Sequence, residues 1–576
     1  MGLGVLWLPA LAVSFCLLNS YRRFRALPPG PRGLPIIGNI LQLPTKMPWF
    51  RFTEWAEEYG PIFSLNLAGQ PVVVLNTFGV ANDLLDKRSA IYSDRPRMVM
   101  AGEILTGGIA LPFAAYGNTW RNLRRAAHEG LGPRALDRFQ DIQCREATFA
   151  VFDMLEDSCR WENHLRRATA ATILSAVYGW PSITDKDEHI VEQVHGVAHR
   201  ITESVAPGAF LVDIFPILKH APLWAAKWKR DGLDWFRRQS EIFEGFNKRV
   251  EEKMDLAGED AQSFVSALVE TRQRHKLTDT EAAWLAGILF TAGAETSFTT
   301  LVYFVQAMVL HPEAMREAQR ELDDVVGRSR LPTFDDQAKL PYVQALVKEV
   351  FRWRPVGPMG GYTISTCFHV VNSRKLTRLL EDYLEEPLRL TLNIRGQDDW
   401  YQGYCIPKGT IVIANIWYGH SFVSSKGIRK CDASFRLDGT QGNAQQSRDT
   451  QFFPDFDDFR PSRFLEDATP ESARSETIRH AAFGFGRRIC AGMDFATQTL
   501  FITIARILWA IDIEEARAPD GTPTVPLRDK FVDNGIVVSP EPFKCTISPR
   551  FPAAVSVLQK EIFGKVQMNE SEAYIR

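Results

Sequence analysis

Phe483-Gly484-Phe485-Gly486-Arg487-Arg488-Ile489-Cys490-Ala491-Gly492 is the stretch on which the rest of the chain is read. It sets one cysteine directly before an apolar run, residues 491–511, that has the length and composition of a buried helix. The thiolate is the metal-binding form of cysteine, and a helix N-terminus with arginines nearby lowers the thiol pKa. Gly484 and Gly486 permit tight turns that aim backbone N–H groups at the sulfur, and such bonds tune a ligated metal. Arg488 offers a partner to an anionic group. Gly492 lets a bulky group lie close to the helix start. The bland alternative is a buried cysteine in a glycine-rich turn.

Around this stretch the chain has 576 residues, 45% hydrophobic and 24% charged, a composition that supports a large core and excludes global disorder. Length alone would suggest about four domains, yet no repeat of solenoid or propeller period is present. The net charge of −2 leaves no basic excess to hold a nucleic-acid backbone, so no nucleic-acid partner is expected. Eight cysteines without a C-x-x-C pair form neither a disulfide framework nor a zinc site.

Residues 2–18 carry no charge, and Tyr21, Arg22, Arg23 and Arg25 follow at once. An apolar run near the lower limit for crossing a bilayer reads as a single transmembrane anchor over residues 1–21. The arginines behind it place the remainder in the cytosol. A cleaved signal peptide would need a basic residue before the run and small residues at a cleavage site, and neither is obvious. Residues 22–39 form a basic, proline-rich hinge, stiffened by Pro28, Pro29 and Pro31. Ile36, Ile37, Ile40 and Leu41 suggest that it docks on the body, residues 40–576.

The body reads as mainly α with minor β. Residues 72–75 form a β-branched strand, and helices are expected over 135–160, 240–256, 313–326 and 342–353. Thr278 and Glu281 make a capping box that opens a helix running to about Leu310, stopped by His311-Pro312. That helix is a rod of about 45 Å, apolar on most sides, as a buried central helix must be. Midway along it stands Ala292-Gly293-Ala294-Glu295-Thr296-Ser297. A glycine weakens a helix interior by about 1 kcal/mol, and an unpaired buried carboxylate costs more. A threonine there can bond back to a carbonyl and open the helix.

Phe483-x-x-Gly486-x-Arg488-x-Cys490-x-Gly492 resembles the haem-binding signature of cytochromes P450. The resemblance extends over most of the body and implies a P450 fold preceded by the anchor. It implies that Cys490 is the axial thiolate of heme b, iron protoporphyrin IX, with Phe483, Gly486, Arg488 and Gly492 around the cofactor. Ala292–Ser297 resembles the family's oxygen-activation motif, making Glu295 and Thr296 the acid–alcohol pair that delivers protons. Trp120 and Arg124, one helical turn apart, are implied haem-propionate contacts. Glu349-x-x-Arg352 is a weak pattern that occurs elsewhere in the chain, but only this copy leads into Arg354-Pro355. With Arg463 it is implied to form a structural core network. Arg487 and other basic residues would greet an acidic reductase.

The expected protein is therefore a monooxygenase that oxidises a small hydrophobic substrate with O2 and electrons from NADPH through an NADPH–cytochrome P450 reductase. It would sit in the endoplasmic reticulum membrane by a single pass. The substrate pocket is expected from residues 95–116, 290–294, 356–361 and 534–539, which are mostly apolar or small. Segments such as Phe483–Cys490 look most like fungal secondary-metabolism P450s, including the O-methylsterigmatocystin oxidoreductase type. Two rivals remain: a haem-thiolate isomerase or dehydratase that needs no reductase, and an inactive haem-binding product of a faulty gene model. The second arises because Arg352 and Cys490 are further apart than in similar chains, through unfamiliar stretches at 362–396 and 418–452. These are genuine insertions or translated introns, the latter favoured. A spliced transcript lacking both is the expected result on sequencing, and a transcript encoding both overturns it.

Overall fold

The computed structural model describes residues 26–180, 183, 188–205, 208–257, 263–359, 363–364, 398–417, 455–465 and 481–573. The anchor 1–21 and all but Thr363 and Ile364 of the stretches 362–396 and 418–452 lie outside the described residues. The chain divides into two compact units. The first comprises Met1–Pro96, Met359–Asp449 and Phe485–Arg488, and the second Arg97–Pro358, Thr450–Gly484 and Ile489–Arg576.

The first unit sets helix α1 (Pro48–Tyr59) against a sheet. Strands β1 (Ile62–Leu67), β2 (Gln70–Leu75), β3 (Thr363–Ile364) and β6 (Ile411–Ala414) lie in the order β1-β2-β6-β3, and β4 (Asp399–Tyr401) pairs with β5 (Tyr404–Ile406). β1 and β2 form a hairpin, and β2 runs parallel to β6 with Val72 opposite Ile411. The strand read at 72–75 is thus the buried part of β2. Phe52 and Trp55 of α1 cover Phe63, Leu65, Val72 and Val74. The proline-rich segment is tied to β1 through main chain. Ser64 donates from N–H to the Pro29 carbonyl at 2.9 Å and from its hydroxyl to the Pro28 carbonyl at 2.6 Å. Ile36 and Leu41 stay exposed (77% and 74%), so docking does not come from the apolar side chains that suggested it. Proline carbonyls are acceptors without a donor to match, and β1 supplies the donors.

The second unit is helical with short strands. Its helices are α2 (Asn118–Leu131), α3 (Gln140–Glu156), α4 (Trp161–Tyr178), α5 (Glu188–Val205), α6 (Lys227–Ala257), α7 (Phe264–His275), α8 (Asp279–Leu310), α9 (Pro312–Val325), α10 (Pro341–Trp353), α11 (Met493–Ala510) and α12 (Ala554–Ala573). Strands β7 (Ile511–Arg517), β8 (Pro523–Thr524) and β11 (Cys545–Pro549) form one sheet, and β9 (Phe531–Asp533) pairs with β10 (Val538–Pro540). α8 runs through the middle, packed by α2, α4, α5, α6, α10 and α11. Its first turn carries the expected capping box: the Thr278 hydroxyl accepts from the Glu281 N–H, and Glu281 accepts from the Thr278 N–H at 2.9 Å. α6 begins thirteen positions before the sequence reading placed it. Its first turns are rich in charge, and their inward face is carried by widely spaced residues, Trp228 and then Trp235 and Phe236. α4 was missed for the opposite reason: it is buried on nearly every side, so no amphipathic period marks it.

Candidate haem-thiolate site

The loop before α11 is shaped by glycines. Gly484 and Gly486 have φ of +88° and +57°, a region that favours glycine. The Cys490 N–H donates to the Phe483 carbonyl at 2.9 Å and closes the loop. Phe483 stands edge-on to Phe351 of α10, ring centroids 5.1 Å apart. Within the first unit, the Gly486 N–H donates to the Asp86 carboxylate. A Cβ on Gly486 would strike the Leu85 carbonyl. The Arg488 Nε donates to the Ser93 carbonyl at 2.7 Å. Gly486 is therefore needed for close approach to residues 85–89, and its amide does not serve the sulfur.

In the second unit the thiol of Cys490 is accessible although protein crowds the surrounding shell. Burial pushes its pKa up; against this, the Gly492 N–H bonds to the sulfur and the Arg124 guanidinium attracts the thiolate, while Asp494 opposes. The Arg124 guanidinium and the N–H at sulfur act in the direction the sequence implies, while burial acts against them; a bound metal cation would add positive charge beside the sulfur. Arg124 is itself held below the usual arginine range by burial, with the Cys490 charge working the other way. One turn before it on α2, Trp120 is buried and lies tilted against Tyr116, ring centroids 5.0 Å apart. Trp120, Ala294 of α8, Phe495 of α11 and Ala491 belong to one apolar cluster. The second unit therefore brings α2, the midpoint of α8 and the cysteine end of α11 together. An accessible thiol with an N–H donor on sulfur and a partly buried arginine beside it fits a sulfur-ligated group that carries carboxylates.

α8 passes the Ala292–Ser297 motif without a break. The Thr296 hydroxyl donates to the Ala292 carbonyl at 2.8 Å. Gly293 serves close packing: a Cβ there would come within 2.9 Å of Ile173 on α4. Glu295 points to neighbouring helices, 3.3 Å from Arg166 Nη1 and 3.0 Å from His195 Nδ1. These partners lie 129 and 100 residues away in sequence, with no local signal to announce them.

Beneath the loop, Glu349 and Arg352 form a bidentate pair at 2.6 and 2.7 Å, both side chains at 0% exposure. Arg463 Nε joins Glu349 at 3.1 Å, and the Arg460 N–H donates to it at 2.8 Å. Arg352 also donates to the carbonyls of Phe456 and Asp458, and Arg463 to those of Asp455 and Asp458. The expected pocket walls meet in two pairs: Leu111 and Ala114 share an apolar cluster with Phe290 and Ala294, and the Val538 N–H donates to the Val356 carbonyl at 2.9 Å. Gly360 and Gly361 lie outside the described residues. A cavity of about 260 Å³ between α5, α6 and α8 is lined by Trp235, Phe243, Phe246 and Phe290 among others.

The family model for Cytochrome P450 matches residues 28–376 and 445–546. Cytochrome P450 monooxygenase 253 of Postia placenta is 46% identical, over 97% of this chain and 94% of that protein. Cytochrome P450 monooxygenase iboC of Amanita muscaria is 35% identical, over 96% of each. In fold, the chain is similar to a zebra fish cytochrome P450 solved with progesterone, with a TM-score of 0.64 and 23% identity over 87% of this chain and 99% of that one.

Proposed function

The chain belongs to the cytochrome P450 family and is a monooxygenase of that family; from that premise we propose that it inserts one oxygen atom of O2 into a small hydrophobic substrate, with electrons from NADPH delivered by a P450 reductase. The observation that carries this reading is the accessible Cys490 thiol beside Arg124 and the Gly492 N–H. Heme b bound there would supply the oxygen chemistry, with thiolate donation favouring O–O cleavage.

The chain's own residues bind, orient and move protons. Cys490 would hold the metal, and the Gly492 N–H would draw charge from the sulfur. Arg124, Trp120 and Arg488 would hold the cofactor's carboxylates, with Phe483 and Gly486 setting the loop's path beneath it. Thr296 has one hydroxyl proton, now given to the Ala292 carbonyl. Its oxygen keeps lone pairs, so it can accept from a neighbour while that bond persists. Glu295 would supply the proton through its carboxyl group. The intact acid–alcohol pair favours oxygen activation over the reductase-independent isomerase or dehydratase reading.

The fungal relatives and the family resemblance support a role in secondary metabolism, with the anchor at 1–21 holding the enzyme on the endoplasmic reticulum membrane, body toward the cytosol. The test is the full chain reconstituted with reductase in vesicles and assayed with and without NADPH. Metabolites that accumulate in a gene-deletion strain serve as the candidate substrates. NADPH-dependent oxygen insertion is expected, whereas product without NADPH overturns the reading in favour of an isomerase. Thr296→Ala is expected to keep the reduced-CO spectrum and lower product formation by about 10²-fold or more. Wild-type product yield from that variant would remove Thr296 from the proton path.

A further inference from the structure

The carboxylate of Glu295 is 17% exposed and lies between two cationic side chains from two other helices. Arg166 of α4 reaches both oxygens at 3.3 Å. Its guanidinium also lies 3.9 Å over the ring of Phe298, one turn along α8. Gly293 and Ile173 set the separation of α4 and α8, so Arg166 is held at a fixed distance from the acid. His195 of α5 approaches Oε1 at 3.0 Å while its own side chain is 53% exposed. A half-exposed ring thus links the acid, itself only slightly exposed, to bulk water.

The two partners differ in what they can do. A guanidinium stays charged at any working pH, so Arg166 can orient Glu295 but not feed it. Imidazole changes charge near neutrality and can take a proton from water on one nitrogen while giving one up from the other. We propose that His195 is a positioning residue acting through Glu295: it holds the carboxylate in place and is the port by which solvent protons enter the reaction. The inference rests on the oxygen-activating role proposed above for Glu295. In each turn the ring, protonated on Nδ1, takes a proton from water on Nε2 and gives its Nδ1 proton to Oε1; the ring then resets by releasing the Nε2 proton to water while water reprotonates Nδ1. Glu295 becomes neutral, releases its pairing to the ring, and passes the proton to the reacting side. The carboxylate that remains returns to Arg166 and His195. No electrons move in these steps, and water supplies every proton.

The other charged groups near this port are few among the described residues. Glu162 faces Arg166 from the same helix and is pushed up by burial, with Arg166 pulling the other way. His199 lies 6.4 Å from His195, ring to ring, and is engaged with Glu203 at 3.6 Å. Neither reaches the Glu295 carboxylate.

The experiment uses the full-length holoenzyme with reductase in vesicles. NADPH-driven O2 consumption is read against pH in H2O and D2O, which needs no identified substrate. His195→Gln is expected to lower the rate about tenfold near neutral pH, short of the about 10²-fold that direct proton donors contribute. It is also expected to enlarge the solvent isotope effect and to flatten the dependence of rate on pH. The rate of CO-trapped reduction by the reductase, which needs no proton delivery, stays the same. His199→Gln behaves as wild type. A His195→Gln enzyme with normal rate, isotope effect and pH profile overturns the proposal. A slow rate with an unchanged isotope effect and pH profile overturns it too, in favour of a merely structural role. Absence of the reduced-CO thiolate band in the unmutated protein is a separate outcome: it overturns the haem reading and the port built on it.

Discussion

Cys490→Ala is expected to abolish the thiolate Soret band of the reduced, CO-treated protein and all NADPH-dependent turnover. The expectation rests on contrast with the other described cysteines. Cys405 and Cys545 are pushed up to about 11 and about 12, burial first and then neighbouring carboxylates working in the same direction. Anions beside those thiols repel the charge that a metal ligand must carry. Cys490 also has a carboxylate acting on it, Asp494, but it has Arg124 and an N–H donor on its sulfur as well, and its thiol is accessible. The substitution removes one atom from an accessible side chain, so a normal circular dichroism spectrum should accompany the spectroscopic loss. An unchanged Soret band would refute the ligand assignment outright.

Glu349→Gln is expected to act on folding. The change leaves shape nearly intact but removes a carboxylate that neutralises Arg352, whose side chain is fully buried. It also weakens the hold on Arg463, 5% exposed, whose guanidinium burial already disfavours. Breaking one side of a buried pair typically costs about 3–5 kcal/mol, a large part of the about 5–15 kcal/mol that keeps a domain folded. The variant should be mostly insoluble or haem-free, with its denaturation midpoint well below wild type. Cys490→Ala, by comparison, loses haem and keeps its fold. A Glu349→Gln protein with the wild-type midpoint would show that the network is dispensable.

The parts of the molecule legible in its sequence are those whose determinants are local. Thr278 and Glu281 are three residues apart, and their capping box forms as read. The loop from Phe483 to Cys490 closes on itself through one backbone bond, and its glycines take the left-handed conformations their spacing implies. Glu349, Arg352 and Arg463 meet as the family resemblance implied. What stayed hidden depends on distant chain. The amide of Gly486 goes to Asp86, 400 residues earlier. Gly293 is required by Ile173 on another helix.

The way Arg352 and Arg463 bind has a consequence for divergence. Between residues 455 and 458 they take main-chain oxygens, those of Asp455, Phe456 and Asp458. Every amino acid supplies the same carbonyl, so substitutions there can accumulate without loosening the grip, provided the backbone keeps its course. A deletion of even one residue would shift each carbonyl out of register with two guanidinium groups that cannot follow. For this grip the segment's length matters more than its letters, although Phe456 is itself buried.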